Sequence, residues 1–209
     1  ISPYKPVPIA IDVPLDRIQY IKEHQEEFAG VDAIPLPVRR YPNGTLAAHI
    51  VGYVGEINDE ELADLGGDYQ LGESIGKSGI EYAYESNLRG TPSKRSVEID
   101  VKGRVLREVR YQAPIPGDDI VLTIDINLQK VAEEGLEKTI QVANNGGVYK
   151  SEYGDVATSG GAKNAKTGAI IAVDVKTGEV LASASYPDYD PNLFVTGISS
   201  KDYEKLQPE

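Results

Sequence analysis

A glycine-bounded stretch from residue 76 to residue 90 constrains the fold of this chain more than any other segment. Between Gly76 and Gly90, apolar residues recur at four-residue steps: Ile80, Tyr84 and Leu88. Because side chains at this spacing share one helix face, the stretch predicts a short helix that must dock on another element. Gly90 offers a left-handed C-terminal cap, and Pro92 cannot continue the helix because it lacks an amide proton.

A segment that overlaps the start of this stretch is similar to a phosphate-binding loop but has the wrong spacing. Three residues separate Gly72 from Gly76 before Lys77 and Ser78, whereas a loop that wraps a phosphate needs four. Leu71 stands where the first glycine is required. The sequence therefore does not predict a nucleotide site.

A serine enzyme is an alternative, because Ser74 and Lys77 match the Ser-x-x-Lys pattern of penicillin-recognising enzymes. Gly76 lies between them and disfavours the helical turn that this pair requires. Lys176-Thr177-Gly178 spells a second motif of those enzymes, but it falls between two apolar runs that predict a hairpin. We therefore expect a turn at 176–178 and keep the serine enzyme as an alternative only.

Charge and composition exclude several function classes. A formal net charge of -12 opposes nucleic-acid binding, which needs clustered Lys and Arg. The sequence has no Cys, so disulfides and thiolate catalysis are excluded. We expect no cofactor, since Asp188 and Asp190 are too few ligands for a metal site. No apolar run approaches the roughly 18 residues that a membrane-spanning helix needs.

Apolar periodicity and turn signals predict the N-terminal elements. Helices are expected at 16–24, 46–51 and 60–65, the last capped by Asn58 or Asp59. A hairpin is predicted from 96–101 and 104–109, around Lys102 and Gly103. This hairpin carries the most basic patch of an acidic chain, and Arg104, Arg107 and Arg110 form its candidate partner surface.

The C-terminal elements follow a turn at 114–119, which is a candidate domain boundary. We expect a short strand at 120–124 and then a helix capped by Asp125 or Asn127. Gly, Ser and Asn replace the periodic pattern at 142–166, which predicts a flexible insertion. Apolar runs at 169–175 and 179–185 predict a second hairpin.

Ordered motifs along the chain resemble class B penicillin-binding proteins. The motif Gly76-x-x-Gly79-Ile80-Glu81, with Leu88-x-Gly90, is similar to one in the non-catalytic N-terminal module of that family. The remaining motifs fall in the family's order: Arg40-Tyr41-Pro42, the segment 47–55, Leu122–Asp125 with Leu128-Gln129, the segment 169–182, and Tyr186–Asn192.

The resemblance implies an α+β fold with two parts. Residues 1–116 would form an elongated pedestal domain of the dimerisation type, built of short helices and hairpins. Residues 117–209 would begin a transpeptidase domain with its first strand, helix and hairpin. Because later strands of that sheet lie outside this sequence, we expect the apolar face of the hairpin to be partly exposed.

The resemblance also implies a structural motif and no catalytic residue. Its members in this sequence are Arg40, Gly76, Gly79, Glu81, Gly90 and Asp125. In the family an arginine near Arg40 pairs with acidic groups, and we predict Glu81 as the partner of Arg40. Asp125 is a helix cap in this interpretation.

The function implied by the resemblance is that of a non-catalytic region of a peptidoglycan D,D-transpeptidase, placed outside the cytoplasmic membrane. The membrane anchor and the catalytic serine are expected outside this sequence. Expected partners are a polytopic glycosyltransferase and a rod-shape scaffold protein of wall elongation, with peptidoglycan bound by the rest of the parent protein. A stand-alone extracellular binding module, using Arg104, Arg107 and Arg110, is the other alternative.

Overall fold

The computed structural model describes residues 9–11, 13–28, 30–33, 37–67, 69–99, 105–152, 154–158, 161–162 and 164–206. The chain divides into two compact units, each made of two segments. The first unit comprises residues 1–38 and 93–113, and the second comprises residues 39–92 and 114–209. The division of the family domains between residues 116 and 117 stays a prediction.

The described helices and strands are numbered in chain order. The helices are α1 (Leu15–Glu23), α2 (Ala48–Val51), α3 (Asp59–Leu65), α4 (Gly79–Ala83), α5 (Glu85–Leu88), α6 (Ile126–Asn145) and α7 (Ser200–Leu206), with a 3-10 turn at Pro191–Phe194. The strands are β1 (Val54–Glu56), β2 (Ser74–Gly76), β3 (Lys94–Ile99), β4 (Val105–Gln112), β5 (Gly147–Tyr149), β6 (Val156–Thr158), β7 (Gly168–Val173) and β8 (Val180–Tyr186).

The first unit contains α1 and the hairpin of β3 and β4. Helix α1 forms where the periodicity predicted it, but none of its residues is buried. The antiparallel register aligns Ser96 with Arg110 and Glu98 with Arg107. The predicted hairpin is therefore confirmed, whereas its turn, with Arg104, lies outside the described residues.

The second unit contains a small sheet next to Gly76-x-x-Gly79-Ile80-Glu81, called the glycine motif below. Strands β1 and β2 are antiparallel and pair Val54 with Gly76. Helix α3 connects them and starts at a capping box, in which the Asn58 side chain accepts the Glu61 N–H and the Glu61 carboxylate accepts the Asn58 N–H. This cap satisfies two amides that the first helical turn would leave without partners.

The sequence predicted a single helix after Gly76. This prediction is wrong in one respect, because the observed helix breaks at Tyr84 into α4 and α5. Tyr84 has φ −118° and ψ 25°, and its side chain is exposed. The apolar row therefore does not dock as one face. At the break the Glu85 carboxylate instead accepts the Gly76 N–H at 2.8 Å. Gly90 has the left-handed φ of +65° that its position after α5 predicted.

Helix α6 and the hairpin of β7 and β8 form the main core of the second unit. Asp125 caps α6 by accepting the N–H groups of Asn127 and Leu128. Leu136 and Ile140 pack on Ala184 of β8. The apolar face of this hairpin was predicted to be partly exposed, and it is, since Ile171 on β7 is 67% exposed.

Two sequence predictions in this region need correction. Residues 120–124 form no strand, although Asp125 N–H donates to Leu181 O and Thr123 Oγ1 donates to Val180 O along the edge of β8. Segment 142–166 is more regular than its composition suggested, because it includes the end of α6 and the hairpin of β5 and β6. Its flexibility stays a prediction.

None of the helices that the structure describes combines the length and apolar character needed to cross a bilayer.

Candidate functional site

The glycine motif surrounds a buried carboxylate. Glu81 on α4 is 3% exposed, and its Oε1 accepts a hydrogen bond from Arg39 Nε at 2.6 Å. The predicted partner was Arg40, and this prediction is wrong, because the neighbouring Arg39 makes the pair. Successive residues of an extended segment point in opposite directions, so Arg39 reaches Glu81 while Arg40 stays exposed.

The Tyr41 side chain is a second buried polar group of this site. Tyr41 is 7% exposed, and its hydroxyl accepts the Val54 N–H at 3.0 Å. Burial, and then the negative charge of Glu81, raise the pKa of the Tyr41 phenol. The phenol therefore stays protonated.

Glycines let two backbones approach closely beside this site. A Cβ at Gly76 would lie 2.0 Å from Glu81 O, and a Cβ at Gly79 would lie 2.5 Å from Ile50 O. Gly79 also has a left-handed φ of +58°. The chain thus needs glycine at both positions to hold α4 against β2 and the end of α2.

A two-way hydrogen bond joins Tyr41 to the end of the C-terminal hairpin. Asn192 Oδ1 accepts the Tyr41 N–H at 3.0 Å, and Asn192 Nδ2 donates to Tyr41 O at 2.9 Å. Asp190 Oδ1 accepts both the backbone N–H of Asn192, at 2.9 Å, and its Nδ2, at 2.7 Å. The amide of Asn192 therefore binds both polar backbone groups of a residue 151 positions away.

An aromatic cluster lies at the same junction. It consists of His49, Tyr53, Tyr189 and Phe194. Tyr53 stacks on Phe194 with a 4.0 Å centroid separation, while Tyr189 Oη donates to Ala48 O at 3.2 Å. His49 Nε2 lies 2.9 Å from Pro187 O. Segments 41–54 and 187–194 are thus joined by polar and aromatic contacts together.

Helix α6 supplies a third link through Gln129 and Glu133. Gln129 is 1% exposed, and its amide exchanges hydrogen bonds with the N–H and the C=O of Ser183 at 2.7 and 3.0 Å. Glu133 Oε1 accepts from Gln129 Nε2 at 2.7 Å and from the Ala47 N–H at 2.9 Å. Ala47 adopts a left-handed φ of 60°, which costs free energy for a residue with a Cβ. The Glu133 bond helps to hold this turn in place.

The candidate serine-enzyme residues are not arranged for catalysis. Ser74 is exposed on strand β2 instead of at a helix start. Lys77 Nζ lies 2.5 Å from Glu61 Oε2, so its ammonium is already paired. Lys176-Thr177-Gly178 lies in the turn between β7 and β8, as predicted. Within the described ranges, no group of three or more His, Asp or Glu residues is placed to hold a metal ion.

The candidate basic surface is only partly described. Arg107 Nε lies 2.5 Å from Glu98 Oε2 across the hairpin. This ion pair locally neutralises one positive charge of the basic surface. Arg110 is exposed on β4. Because Arg104 lies outside the described residues, the three-arginine partner surface stays a prediction.

Sequence reasoning missed Arg39, Tyr41 and Asn192 as a unit. Tyr41 and Asn192 each belonged to a recognised motif, but no periodicity connects residues so far apart in the chain. A signal was present locally, since Asp190-Pro191-Asn192 is typical of a capped turn that fixes an amide side chain.

The family model and the relatives that match this chain all belong to penicillin-binding proteins. Residues 1–122 match the model of the penicillin-binding protein dimerisation domain. The chain is 38% identical over 202 residues to the peptidoglycan D,D-transpeptidase MrdA of Acinetobacter baumannii, covering 96% of this chain and 26% of that protein. The chain therefore spans about a quarter of the length of this relative.

Two solved structures are similar in fold. One is the complex between the penicillin-binding protein PBP2 and MreC from Helicobacter pylori, with a TM-score of 0.65 and 29% identity, covering 94% of this chain and 32% of that one. The other belongs to a peptidoglycan synthase complex that coordinates polymerization and crosslinking. It matches with a TM-score of 0.59 and 33% identity, covering 90% of this chain and 31% of that one.

Proposed function

The chain belongs to the penicillin-binding protein family, and from this premise we propose that it is the non-catalytic N-terminal region of an elongation-type peptidoglycan D,D-transpeptidase. Its task is to position the transpeptidase domain and to contact other wall-synthesis proteins. The observation that carries the proposal is the two-way hydrogen bond between Tyr41 and Asn192, which fastens the segment beside the glycine motif to the end of the C-terminal hairpin.

Positioning needs a junction that resists rotation. A single contact permits the joined segments to pivot, whereas paired hydrogen bonds, stacked rings and the Glu133 bond fix several directions at once. In the parent protein, β7 and β8 begin the sheet that supports the catalytic groups. The junction then sets the placement of that sheet relative to segment 39–92.

The exposed face of β7 supports the same proposal. Ile171 and Val173 are 67% and 49% exposed. In the parent protein the remainder of the transpeptidase domain covers these side chains, so that their burial stabilises the joined domains.

The similar structures support a proposal about partners. We propose that an MreC-type protein and a peptidoglycan polymerase bind the parent protein outside the cytoplasmic membrane, with membrane attachment through a segment beyond this chain. The first unit, whose helix α1 buries none of its residues and whose β4 carries exposed Leu106 and Val109, is the candidate contact surface.

The absence of catalysis is tested by labelling. The 209-residue chain and a longer protein that includes the transpeptidase domain are incubated with a fluorescent penicillin. We expect a covalent label on the longer protein alone. A label on this chain that disappears in Ser74→Ala would contradict the proposal and support the serine enzyme.

The positioning role is tested in the longer protein with Asn192→Ala and the matched control Asn127→Ala, whose side chain is exposed on α6. We expect Asn192→Ala to lower peptidoglycan crosslinking while penicillin acylation is retained, because the serine stays intact but its domain is misplaced. Crosslinking equal to that of the control would overturn the positioning role.

A further inference from the structure

We propose that Glu133 is a positioning residue: its carboxylate stabilises the left-handed turn at Ala47 and thereby fixes helix α2 between the C-terminal hairpin and the glycine motif. The inference deepens the proposed positioning function and rests on it for its biological meaning. It identifies α2, a helix of only four residues, as the element through which the placement of the hairpin reaches the glycine motif.

The start of α2 is bound by two C-terminal elements. The Ala47 N–H donates to Glu133 Oε1 on α6 at 2.9 Å. The next residue, Ala48, is 2% exposed, and its carbonyl oxygen accepts from Tyr189 Oη at 3.2 Å. Helix α6 and the segment that follows β8 therefore hold the same end of α2.

The other end of α2 is bound by the glycine motif. A Cβ at Gly79 would lie 2.5 Å from Ile50 O and 2.7 Å from Gly52 N, so Gly79 lies directly against the last turn of α2. Gly52 is enclosed as tightly, since a Cβ there would overlap Ser78 O. Because no space separates these backbones, a shift of α2 must move the glycine motif or break this contact.

The turn that starts α2 needs an acceptor from outside the helix. Ala47 adopts a left-handed φ of 60°, which costs free energy for a residue with a Cβ. Ala47 is 8% exposed, and α2 has no side-chain cap. Without the Glu133 carboxylate, the turn would combine backbone strain with a buried N–H that has no partner.

Gln129 places the Glu133 carboxylate. Its Nε2 donates to the same oxygen, Oε1, at 2.7 Å, while the Gln129 amide is itself held by both backbone groups of Ser183 on β8. The acceptor for the Ala47 N–H is therefore positioned by the hairpin. The path from β8 to Ala47 consists of direct hydrogen bonds, and the path from Ala47 to the glycine motif consists of backbone contacts.

The position of the acceptor, more than its charge, is the expected requirement. Hydrogen exchange of the Ala47 and Gly52 amides is measured in the 209-residue chain and in Glu133→Ala, Glu133→Gln and Glu133→Asp. Gly52 reports on α2 because its N–H donates to Ala48 O at 2.8 Å. Glutamine keeps an oxygen at the same reach without the charge, whereas aspartate keeps the charge but withdraws the oxygen by one methylene.

We expect about tenfold or faster exchange at both amides in the alanine and aspartate variants, since each loses the buried hydrogen bond. In Glu133→Gln the acceleration should be about threefold or less, because the amide oxygen replaces the carboxylate oxygen. Glu134→Ala is the matched control, since this neighbouring glutamate is exposed on the same helix, and it should leave both exchange rates unchanged.

Relief of the strain at Ala47 provides a second test. Ala47→Gly removes the Cβ that makes the left-handed turn costly. We therefore expect Glu133→Ala to accelerate Gly52 exchange by about threefold or less in the Ala47→Gly background, against about tenfold in the unchanged background. Should Glu133→Ala fail to fold, Glu133→Asp takes its place in this comparison.

Four results would overturn the role of Glu133. Unchanged Gly52 exchange in a folded Glu133→Ala chain would show that α2 holds its place without the carboxylate. Recovery with aspartate but not with glutamine would show that charge is the requirement. Equal acceleration in the two Ala47 backgrounds would show that Glu133 does not compensate the strained turn. Equal acceleration at Gly52 and at the core amide of Ile140 would show a global loss of stability.

The role of Glu133 and the proposed function can fail separately. In the longer protein that includes the transpeptidase domain, we expect Glu133→Ala to lower crosslinking while penicillin acylation is retained. If the exchange results hold but crosslinking is intact, the proposed function fails while the hold of Glu133 on α2 stands. If exchange is unchanged but Asn192→Ala still lowers crosslinking, the proposed function stands and the role of Glu133 fails.

Discussion

Arg39 Nε lies 2.6 Å from Glu81 Oε1, and the two side chains differ greatly in exposure, at 47% and 4%. The arginine can return to water when the pair is broken, whereas the glutamate cannot. The pair therefore matters mainly as compensation for a carboxylate that the fold has buried beside the glycine motif.

Removal of Arg39 should destabilise the second unit. We expect Arg39→Ala to lower the free energy of unfolding by about 1–3 kcal/mol, less than for a fully buried pair because the Arg39 side chain is half exposed. Arg40→Ala is the matched control and should change it by less than about 0.5 kcal/mol. Urea unfolding of both variants measures the difference, and equal effects would contradict the assignment of Arg39.

Gly79 should not tolerate a side chain. Its φ is +58° and an added Cβ would lie 2.5 Å from Ile50 O, so Gly79→Ala combines backbone strain with a clash. We expect a loss of about 2 kcal/mol or more. Gly135 in α6 is the control, because an added Cβ meets nothing within 4 Å there, and Gly135→Ala should stabilise by about 0.5–1 kcal/mol. Thermal unfolding that ranks the two variants in the opposite order would refute this explanation.

The sequence was sufficient where structure is determined by neighbouring residues. Asn58 caps α3, Asp125 caps α6, and the hairpin of β7 and β8 forms where the two apolar runs predicted it. These features depend on hydrogen bonds within four residues or on a short turn, so the local pattern specifies them.

The sequence was insufficient where distant segments meet. It suggested an arginine partner for Glu81 but selected Arg40, because the direction of each side chain depends on how segment 39–41 docks. It did not predict the break at Tyr84, where Glu85 turns to the Gly76 amide. The bond between Tyr41 and Asn192 could not be predicted either, because the turn signal at 190–192 does not identify the distant backbone that the Asn192 amide binds.

Gln129 should be essential for joining α6 to β8. Its amide binds both backbone groups of Ser183 in a nearly solvent-free position. Gln129→Leu conserves volume but leaves those groups without the side-chain partner, so we expect a loss of about 1–3 kcal/mol. Gln141→Leu, on the exposed side of the same helix, is the control and should have less than about 0.5 kcal/mol of effect. Chemical unfolding that gives similar values for both would contradict the proposed role of Gln129.

Acid should weaken the link between α3 and β2. A hydrogen bond from Lys77, followed by one from the Asn58 N–H, lowers the pKa of Glu61. Because the folded-state pKa lies below the unfolded value of about 4.3, the ionised carboxylate stabilises the fold above that pH, and this contribution is lost as the pH falls through the folded-state pKa. We therefore expect the stability difference between the unchanged chain and Glu61→Gln to be constant near neutral pH and to shrink below about pH 4.3. In a Lys77→Ala background the pH dependence of this difference should become smaller, since the main cause of the lowered pKa is gone. Unfolding free energies measured from pH 7 to pH 3 test this, and a difference that stays constant over the whole range would show that the Lys77 bond does not hold Glu61 in its ionised form.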